Sequence, residues 1–316
     1  MKRVFLFILV LLTLSFMLSG CGQRAQVTED TDKKMSVVCT VFPVYDWLTE
    51  IIGEDNDSFE IHYLAKNGDI HSFSPSMQDI VKITISDLLI YVGGESDIWA
   101  KKIVDENSLN ALNLFDVNSD WLLDAEHSHT HEHHEEGAVY DEHIWLSLDI
   151  ARRSVEAICK ELCALDPENA DKYRRNAENY SGRLETLDRE YEGAIENSKD
   201  KTIIVADRFP FLYLTNRYNI EPIAAFSGCS ADSDASFEVI ARLARAVDVY
   251  QKQTILVLEN PAQSVAETVV KTAKRHGTEI AVMNSCQMVG MDEIEAGADY
   301  IEIMTENLEV LKKALE

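Results

Sequence analysis

Short apolar, β-branched runs alternate with amphipathic helical patterns along the sequence, and the alternation occurs twice. Continuous apolar strands that alternate with helices are typical of parallel sheets covered by helices on both faces. In the first half the predicted strands are 36–42, 58–64, 88–92 and a weaker one at 112–115. In the second half they are 202–206, 221–226, 254–258 and 279–283. The pattern predicts an α/β fold of two lobes, each with about four β/α repeats.

The segment between the two sets of repeats contains no predicted strand. A helical pattern covers 147–165, and Asp166-Pro167-Glu168 is typical of a helix start with proline in the first turn. Apolar residues then recur every three or four positions and predict a helix of about thirty residues, about 45 Å long. Its apolar stripe consists of Tyr173, Ala177, Tyr180, Leu184, Leu187, Tyr191 and Ile195. We therefore expect an N-terminal lobe at 36–146, a linking helical segment at 147–200 and a C-terminal lobe at 201–316.

The N-terminus is typical of an exported bacterial lipoprotein. Lys2 and Arg3 precede an apolar run that is shorter than a membrane-spanning helix. Leu18-Ser19-Gly20-Cys21 resembles the lipobox, in which cleavage leaves a lipid-modified cysteine at the new N-terminus. We expect a signal peptide at 1–20, then lipidated Cys21 and a polar tether at 21–35. The acyl chains, palmitate among them, would hold the protein at the extracytoplasmic face of the cell membrane. A plain signal peptide or an N-terminal anchor helix is the alternative.

Charge and cysteine content narrow the classes of partner. Loss of residues 1–20, which carry two positive charges and no negative one, takes the formal net charge from −26 to −28. So acidic a protein disfavours nucleic acid and anionic lipid and tolerates cations. Cys159 and Cys163 lie one helical turn apart and are predicted core residues. Cys229 and Cys286 both follow predicted strands and are the first pair to test for a disulfide.

Residues 126–134 read Glu-His-Ser-His-Thr-His-Glu-His-His and contain five of the nine histidines of the chain. Imidazoles and carboxylates are the usual ligands of borderline divalent metals such as zinc. Alternating histidines let an extended loop offer several donors to one ion. The tract is internal and interleaved with acids, unlike an expression tag, and a merely solvated loop is the alternative. We predict an accessory metal-collecting loop at 124–136, whose donors are His127, His129, His131, His133 and His134.

Other polar side chains fall at the ends of predicted elements. His71 follows the second strand, His143 precedes the helical middle, and Asp207 follows the first strand of the second half. Glu259 and Asn284 close the third and fourth strands of that half. Ligands of open α/β sheets collect at the carboxyl ends of the strands. We expect donors from both lobes to meet in the cleft between them.

At these residues the sequence resembles the zinc/manganese branch, cluster A-I, of the solute-binding lipoproteins that serve ATP-driven uptake transporters. The resemblance covers essentially the whole mature chain. One histidine motif of that family matches 68–75, which contains His71, and a second matches 141–146, which contains His143. Glu142 stands where the second motif has proline. The resemblance implies that His71 and His143 are metal ligands, and the histidine loop before the second motif also fits zinc members.

The second half departs from the pattern of that family. Its third ligand, a histidine in zinc members and a glutamate in manganese members, falls on Arg208 in this sequence. Arginine offers no lone pair to a metal, so Asp207, one residue earlier, is the predicted third ligand. The fourth position falls on Asn284, and Glu259 and Cys229 are alternatives. Residues 207–211 with 228–230 are similar to a clostridial-type subgroup that carries Asp-Arg-Phe-Pro-Phe.

The cargo expected from these donors is Zn²⁺. Two neutral imidazoles with one or two carboxylates suit tetrahedral zinc, whereas manganese favours more oxygen donors. The resemblance implies a monomeric, non-enzymatic carrier that delivers Zn²⁺ to an ABC transporter permease with its cytoplasmic ATPase. A manganese or iron carrier of the same family is an alternative. A metal-binding adhesin, or a metal-buffering surface protein, is another.

An enzyme is not expected. A metallohydrolase needs an open metal position and a general base. The sequence contains no His-Glu-x-x-His, Gly-x-Ser-x-Gly or P-loop pattern. A genomic neighbourhood with an ATPase and a multi-span permease would favour transport over adhesion.

Overall fold

The computed structural model describes residues 34–55, 57–66, 68–125, 139–226, 228, 235–259 and 263–316. The predicted signal peptide, Cys21, most of the tether, the histidine tract and Cys229 lie outside these residues. Within the described part of the chain, no helix combines the length and the apolarity needed to cross a membrane.

The strands of the described residues form two four-stranded sheets in which every pairing is parallel. The first sheet contains β1 (Met35–Cys39), β2 (Phe59–Tyr63), β3 (Leu88–Tyr91) and β4 (Ala111–Asn113). The second contains β5 (Thr202–Val205), β6 (Glu221–Ala224), β7 (Thr254–Val257) and β8 (Glu279–Val282). The spatial orders are β2-β1-β3-β4 and β6-β5-β7-β8, so the two sheets repeat one topology. The predicted fold of two α/β lobes is confirmed.

Helices cover the faces of both sheets. In the N-terminal lobe they are α1 (Phe42–Ile52), α2 (Met77–Ile85), α3 (Ile98–Asn107) and the single turn α4 (Leu114–Val117). Those of the C-terminal lobe are α7 (Leu212–Tyr218), α8 (Phe237–Tyr250), α9 (Ser264–Thr272), α10 (Met291–Glu295) and α11 (Tyr300–Leu315). The first strand ends three residues earlier than predicted, at Cys39, because α1 already begins at Phe42 with Pro43 in its first turn.

Two long helices link the lobes, α5 (Leu148–Leu165) and α6 (Ala170–Glu196). All seven residues of the predicted apolar stripe of α6 are buried. A 27-residue helix is about 40 Å long. It contacts the N-terminal lobe through Tyr180, whose hydroxyl donates to Asp46 on α1 at 2.7 Å. It contacts the C-terminal lobe through Tyr191, whose hydroxyl donates to the Met304 carbonyl at 2.6 Å.

The strand order places the chemistry of each lobe at one edge of its sheet. From β1 the chain moves first to β2 on one side and then to β3 on the other, so the connections diverge at the carboxyl ends of these strands. Such switch points are where open α/β sheets bind ligands. In the N-terminal lobe the segments that follow β2 and β3 contain His71 and Ser96. In the C-terminal lobe the segment that follows β8 contains Gln287.

Candidate metal site

His71 lies in a single 3-10 turn, Ile70–Ser72, after β2. Asp69 caps this turn, because its Oδ1 accepts from the His71 backbone N–H at 3.1 Å. Its other oxygen, Oδ2, lies 3.0 Å from Nη1 of Arg208 in the C-terminal lobe. The ring Nδ1 of His71 lies 3.0 Å from the Ser96 Oγ and 3.1 Å from the Glu142 Oε1. Contacts from three segments therefore fix the orientation of this imidazole.

His143 is buried just before the 3-10 turn Ile144–Leu146. Its backbone N–H and its ring Nδ1 both contact Oδ1 of Asp141, at 2.9 and 3.0 Å. The ring of Trp145 packs 5.3 Å from the imidazole, and its Nε1–H donates to the Ser285 carbonyl of the C-terminal lobe at 2.8 Å. One short motif thus orients the second histidine and connects it to the other lobe.

The two imidazoles meet at their Nε2 atoms, which are 3.2 Å apart. The Gln287 Oε1 lies 3.0 Å from the His71 Nε2 and 3.2 Å from the His143 Nε2. Each Nδ1 faces carboxylate oxygen, which accepts only, so in the neutral rings the hydrogen is on Nδ1 and the lone pair is on Nε2. Three lone-pair atoms therefore converge on one point. Zinc ligands at about 2.0–2.1 Å in a tetrahedron lie about 3.3–3.4 Å apart, close to this spacing.

The loop after β8 delivers Gln287 to the histidines. Cys286 adopts a left-handed backbone conformation with φ 61°, which is uncommon for a residue other than glycine. The Asn284 Oδ1 stabilises this turn by accepting from the Cys286 N–H at 2.8 Å. The Glu259 carboxylate accepts from the Ser285 N–H at 2.9 Å and from its hydroxyl at 2.6 Å. Asn284 and Glu259 therefore shape the turn that carries the donor.

The carboxylate behind His71 is ionised at neutral pH. Burial raises the pKa of Glu142, but the hydrogen bond with His71 and the charges of the two imidazolium forms outweigh it, so the pKa is lowered. The other carboxylate oxygen, Oε2, accepts from the Ser96 N–H at 2.9 Å. For Glu259 the balance is reversed. Burial outweighs the hydrogen bonds from Ser285, so the pKa of Glu259 is raised.

The site lies within a stretch of sequence that has known relatives. Residues 37–314 match the family model described as the periplasmic zinc-uptake complex component A, ZnuA. The chain belongs to this family. The resemblance to zinc-type solute-binding proteins is thereby confirmed at the level of the family.

Individual ZnuA-type relatives agree with that match. The chain is 31% identical over 294 residues to the zinc-binding protein AdcA of Streptococcus pyogenes serotype M1, covering 88% of this chain and 56% of that protein. The chain thus spans about half the length of that relative. It is 26% identical to the high-affinity zinc uptake system protein ZnuA of Bacillus subtilis strain 168, covering 95% of this chain and 94% of that protein. The solved Zn(II)-bound ZnuA-like domain of Streptococcus pneumoniae AdcA has a TM-score of 0.71 and 26% identity, covering 90% of this chain and 99% of that one.

The structure brings His71 and His143 together and adds Gln287, which sequence reasoning missed. Gln287 lies only three positions beyond Asn284, the predicted fourth ligand, but no motif or spacing marks it as a donor. Asp207 accepts from the Arg208 N–H at 2.8 Å and from the Leu258 N–H at 3.2 Å. Its role as third ligand stays a prediction. In the described part of the chain, no three His, Cys, Asp or Glu side chains form a group suited to a metal ion.

The remaining predictions concern cysteines and the histidine loop. Cys286 is buried and free, so a Cys229–Cys286 disulfide is not formed. Cys159 is buried and Cys163 half-buried, with their Sγ atoms 3.9 Å apart. Three groups of predicted residues lie outside the described residues, namely Cys21, Cys229 and the loop donors His127, His129, His131, His133 and His134. Their roles stay predictions.

Proposed function

We propose that this chain is an extracytoplasmic solute-binding lipoprotein that captures Zn²⁺ and delivers it to an ABC transporter permease. The observation that carries the proposal is the convergence of three lone-pair atoms, 3.0–3.2 Å apart, from His71, His143 and Gln287. Facing lone pairs repel one another unless a cation lies between them. Membership of the ZnuA family supports the same function.

The donor set favours zinc over manganese as the cargo. Two of the three converging atoms are imidazole nitrogens, which suit zinc, whereas manganese is best served by carboxylates, carbonyls and water. Asp207, or a water molecule, would complete a tetrahedron. We propose His71 and His143 as ligands, with Gln287 as the neutral oxygen donor. Asp207, predicted as a ligand from its place in the sequence, remains our proposed carboxylate ligand beside these three.

The arrangement of donors suggests how a carrier of this kind releases its cargo. Both histidines belong to the N-terminal lobe, whereas Gln287 belongs to the C-terminal lobe. Separation of the lobes on the permease would remove the donors of the C-terminal lobe, Gln287 and Asp207, and leave a site of two imidazoles with lower affinity. Release requires such a difference in affinity between the two states of the carrier.

Further parts of the proposal rest on the sequence. We propose lipidation at Cys21, a monomeric protein at the outer face of the cell membrane, and lobes at 36–146 and 201–316 joined by 147–200. The permease and its cytoplasmic ATPase are the proposed partners, and no catalytic activity is proposed. From the similarity of residues 207–211 and 228–230 we also propose that the chain belongs to the clostridial-type subgroup of this family.

Metal analysis of the purified protein, followed by competition titration with a chelator of known affinity, tests the proposal directly. We expect one tightly bound Zn²⁺ per chain. His71→Ala and His143→Ala should each abolish tight binding, because each removes one of two nitrogen donors. His276→Ala, which alters a histidine remote in sequence from both motifs, is the matched control and should bind as the wild type does.

Three outcomes would overturn parts of the proposal. Stoichiometric manganese or iron with no preference for zinc would contradict the assigned cargo. Tight zinc binding in both alanine variants would contradict the assigned site. Deletion of the gene with no defect in zinc uptake, for a protein that still binds zinc, would favour the adhesin or buffering function.

A further inference from the structure

Glu142 makes three contacts that tie the site together. Its Oε1 lies 3.1 Å from the His71 Nδ1 and accepts from the Ser96 hydroxyl at 2.8 Å. Its Oε2 accepts from the Ser96 backbone N–H at 2.9 Å. Because the hydroxyl hydrogen of Ser96 points to Glu142, the Ser96 oxygen presents a lone pair to the same Nδ1, 3.0 Å away. These two oxygens therefore both act as acceptors toward this nitrogen.

The segment after β3 is built around the Glu142 side chain. A Cβ at Gly94 would lie 2.3 Å from the Glu142 Cβ and 2.6 Å from its Oε2, so only glycine permits this approach. The buried Asp97 anchors the same segment, accepting from the Val92 N–H at 2.7 Å and from the Thr40 hydroxyl at 3.1 Å. Gly94 and Asp97, on either side of Ser96, thus hold this residue in place. The Ser96 backbone N–H can face only an acceptor atom of residue 142.

We infer that Glu142 is a positioning residue that holds the hydrogen of His71 on Nδ1 and keeps the Nε2 lone pair directed at the metal. Asp141 performs the same service for His143, so two adjacent carboxylates orient the two imidazoles, one each. The matching family motif has proline at this position, and proline has no side-chain acceptor that could hold the His71 hydrogen on Nδ1. The inference deepens the proposed function and rests on it for the identity of the metal.

Two negative charges also lie behind the two neutral rings. His71, His143 and Gln287 are all neutral donors, so these three ligands do not compensate the charge of a bound dication in a largely buried site. Carboxylates that hydrogen-bond to metal-binding histidines raise the basicity of the ligands and offset that charge. Glu142 supplies part of this compensation from the N-terminal lobe, where both histidines lie.

Glu142→Gln is a sharp test because the position of Ser96 dictates the orientation of the new amide. The Ser96 N–H requires the amide oxygen at the place of Oε2, which puts the NH₂ group at the place of Oε1, facing the His71 Nδ1. The amide then donates where the carboxylate accepted, and the hydrogen of His71 moves to Nε2. That hydrogen must be displaced before a metal can bind.

Two measurements follow, on the wild type, Glu142→Gln and a control, Glu95→Gln. Glu95 is exposed and adjacent to Ser96, so its substitution removes the same charge from the same loop. We expect Zn²⁺ affinity to fall about 10–100-fold in Glu142→Gln, the usual effect of losing the partner of a metal-binding histidine. Ring ¹⁵N NMR of the metal-free proteins should show a bare Nε2 on His71 in the wild type and the control, and a protonated Nε2 in Glu142→Gln.

The two readouts separate the inference from the proposed function. Wild-type zinc affinity together with an unchanged His71 tautomer in Glu142→Gln would overturn the role of Glu142. Failure of the wild type to bind zinc would overturn the proposed function, and the tautomer of the metal-free protein would still test the positioning role. Equal thermal unfolding temperatures of the variants verify that neither result comes from misfolding.

Discussion

At the scale of single residues, the site combines two well-oriented nitrogen donors with one neutral oxygen donor. His71 and His143 each have a carboxylate behind the ring, and Gln287 reaches both Nε2 atoms through one oxygen. The Gln287 amide carries no charge, so its interaction with a bound metal ion is that of a charge with a dipole. The residue at this position should therefore set the affinity of the site without affecting its geometry.

Substitutions of Gln287 should move zinc affinity in opposite directions. Gln287→Glu keeps the shape and adds a negative charge at ligand distance from a dication, so we expect affinity to rise by tenfold or more, because that Coulomb energy exceeds the about 1.4 kcal/mol that tenfold requires. Gln287→Leu removes the donor and should lower affinity. Competition titration measures both changes, and equal affinities in the two variants would show that this side chain does not contact the metal.

The histidines could be predicted from sequence, whereas Gln287 could not. His71 and His143 sit in short motifs whose capping acids, Asp69 and Asp141, are only two residues away, so the local sequence specifies their orientation. The position of Gln287 depends on the left-handed turn at Cys286 and on Glu259, which is remote in sequence. No periodicity of the chain encodes such a turn, and the loop was recognised without the residue that matters.

At the scale of elements, the helices and strands were predicted well because burial sets their pattern. The strands β1, β3, β5 and β7 are central in their sheets and read as continuous apolar runs. The stripe of α6 has helical period because one face of this helix packs against both lobes. Strand ends were less well predicted, since the last residues of an apolar run can equally begin the next helix, as Phe42 does in α1.

Asp46 is a buried acid at the junction of α1, α6 and α11. Its carboxylate accepts from the Tyr180 hydroxyl at 2.7 Å and from the Tyr300 N–H at 3.2 Å. Burial raises the pKa of Asp46 to about 7, the Tyr180 hydrogen bond opposes this, and the nearby Asp299 and Glu50 add to it. The folded protein thus holds a proton here that the unfolded chain releases near pH 4.

Stability should therefore depend on pH through Asp46. Because the pKa is raised on folding, the contribution of the protonated acid is fully present below about pH 4 and is lost as pH rises to about 7. Asn resembles the protonated acid, so the free energy of unfolding of Asp46→Asn should lack this loss. From pH 5 to pH 8 it should rise by about 2 kcal/mol relative to that of the wild type. Urea unfolding at both pH values measures the difference, with the exposed Glu178→Gln on α6 as control. Parallel pH profiles for the wild type and Asp46→Asn would contradict the assignment.

At the scale of the whole molecule, one continuous core connects the two sheets. It includes Trp47 and Leu48 of α1, the stripe of α6, and Tyr300 and Met304 of α11. Polar contacts cross between the lobes closer to the proposed metal site, among them Arg208 with Asp69, Trp145 with Ser285 and Tyr213 with Asp141. A shared core limits the lobes to small relative movements, and the polar contacts can break and re-form within that range. In the proposed release step, such small movements would withdraw Gln287 from the histidines.

The accessory histidine loop can be deleted without disturbing the site, because hydrogen bonds hold the two ends of the loop together. The Ala125 N–H donates to the Val139 carbonyl at 2.8 Å, and the Asp141 N–H donates to the Leu123 carbonyl at 2.9 Å. The Tyr213 hydroxyl, from the C-terminal lobe, accepts from the Leu123 N–H at 3.1 Å and donates to the Asp141 carbonyl at 2.8 Å. This antiparallel stem fixes Asp141, and with it His143, without help from the residues between its ends.

Replacing residues 126–138 by Asn-Gly, which favours a tight turn between antiparallel strands, should leave one tight zinc site. The weaker zinc binding that we attribute to the five loop histidines should disappear, since the loop donors are removed while the His71–His143–Gln287 centre is untouched. Isothermal titration with and without a competing chelator separates the two classes of site, and His143→Ala in the shortened chain should remove the remaining one. Loss of the tight site from the shortened chain alone would mean that the loop contributes a ligand to the centre, in which case zinc would be held by the loop and the cleft together.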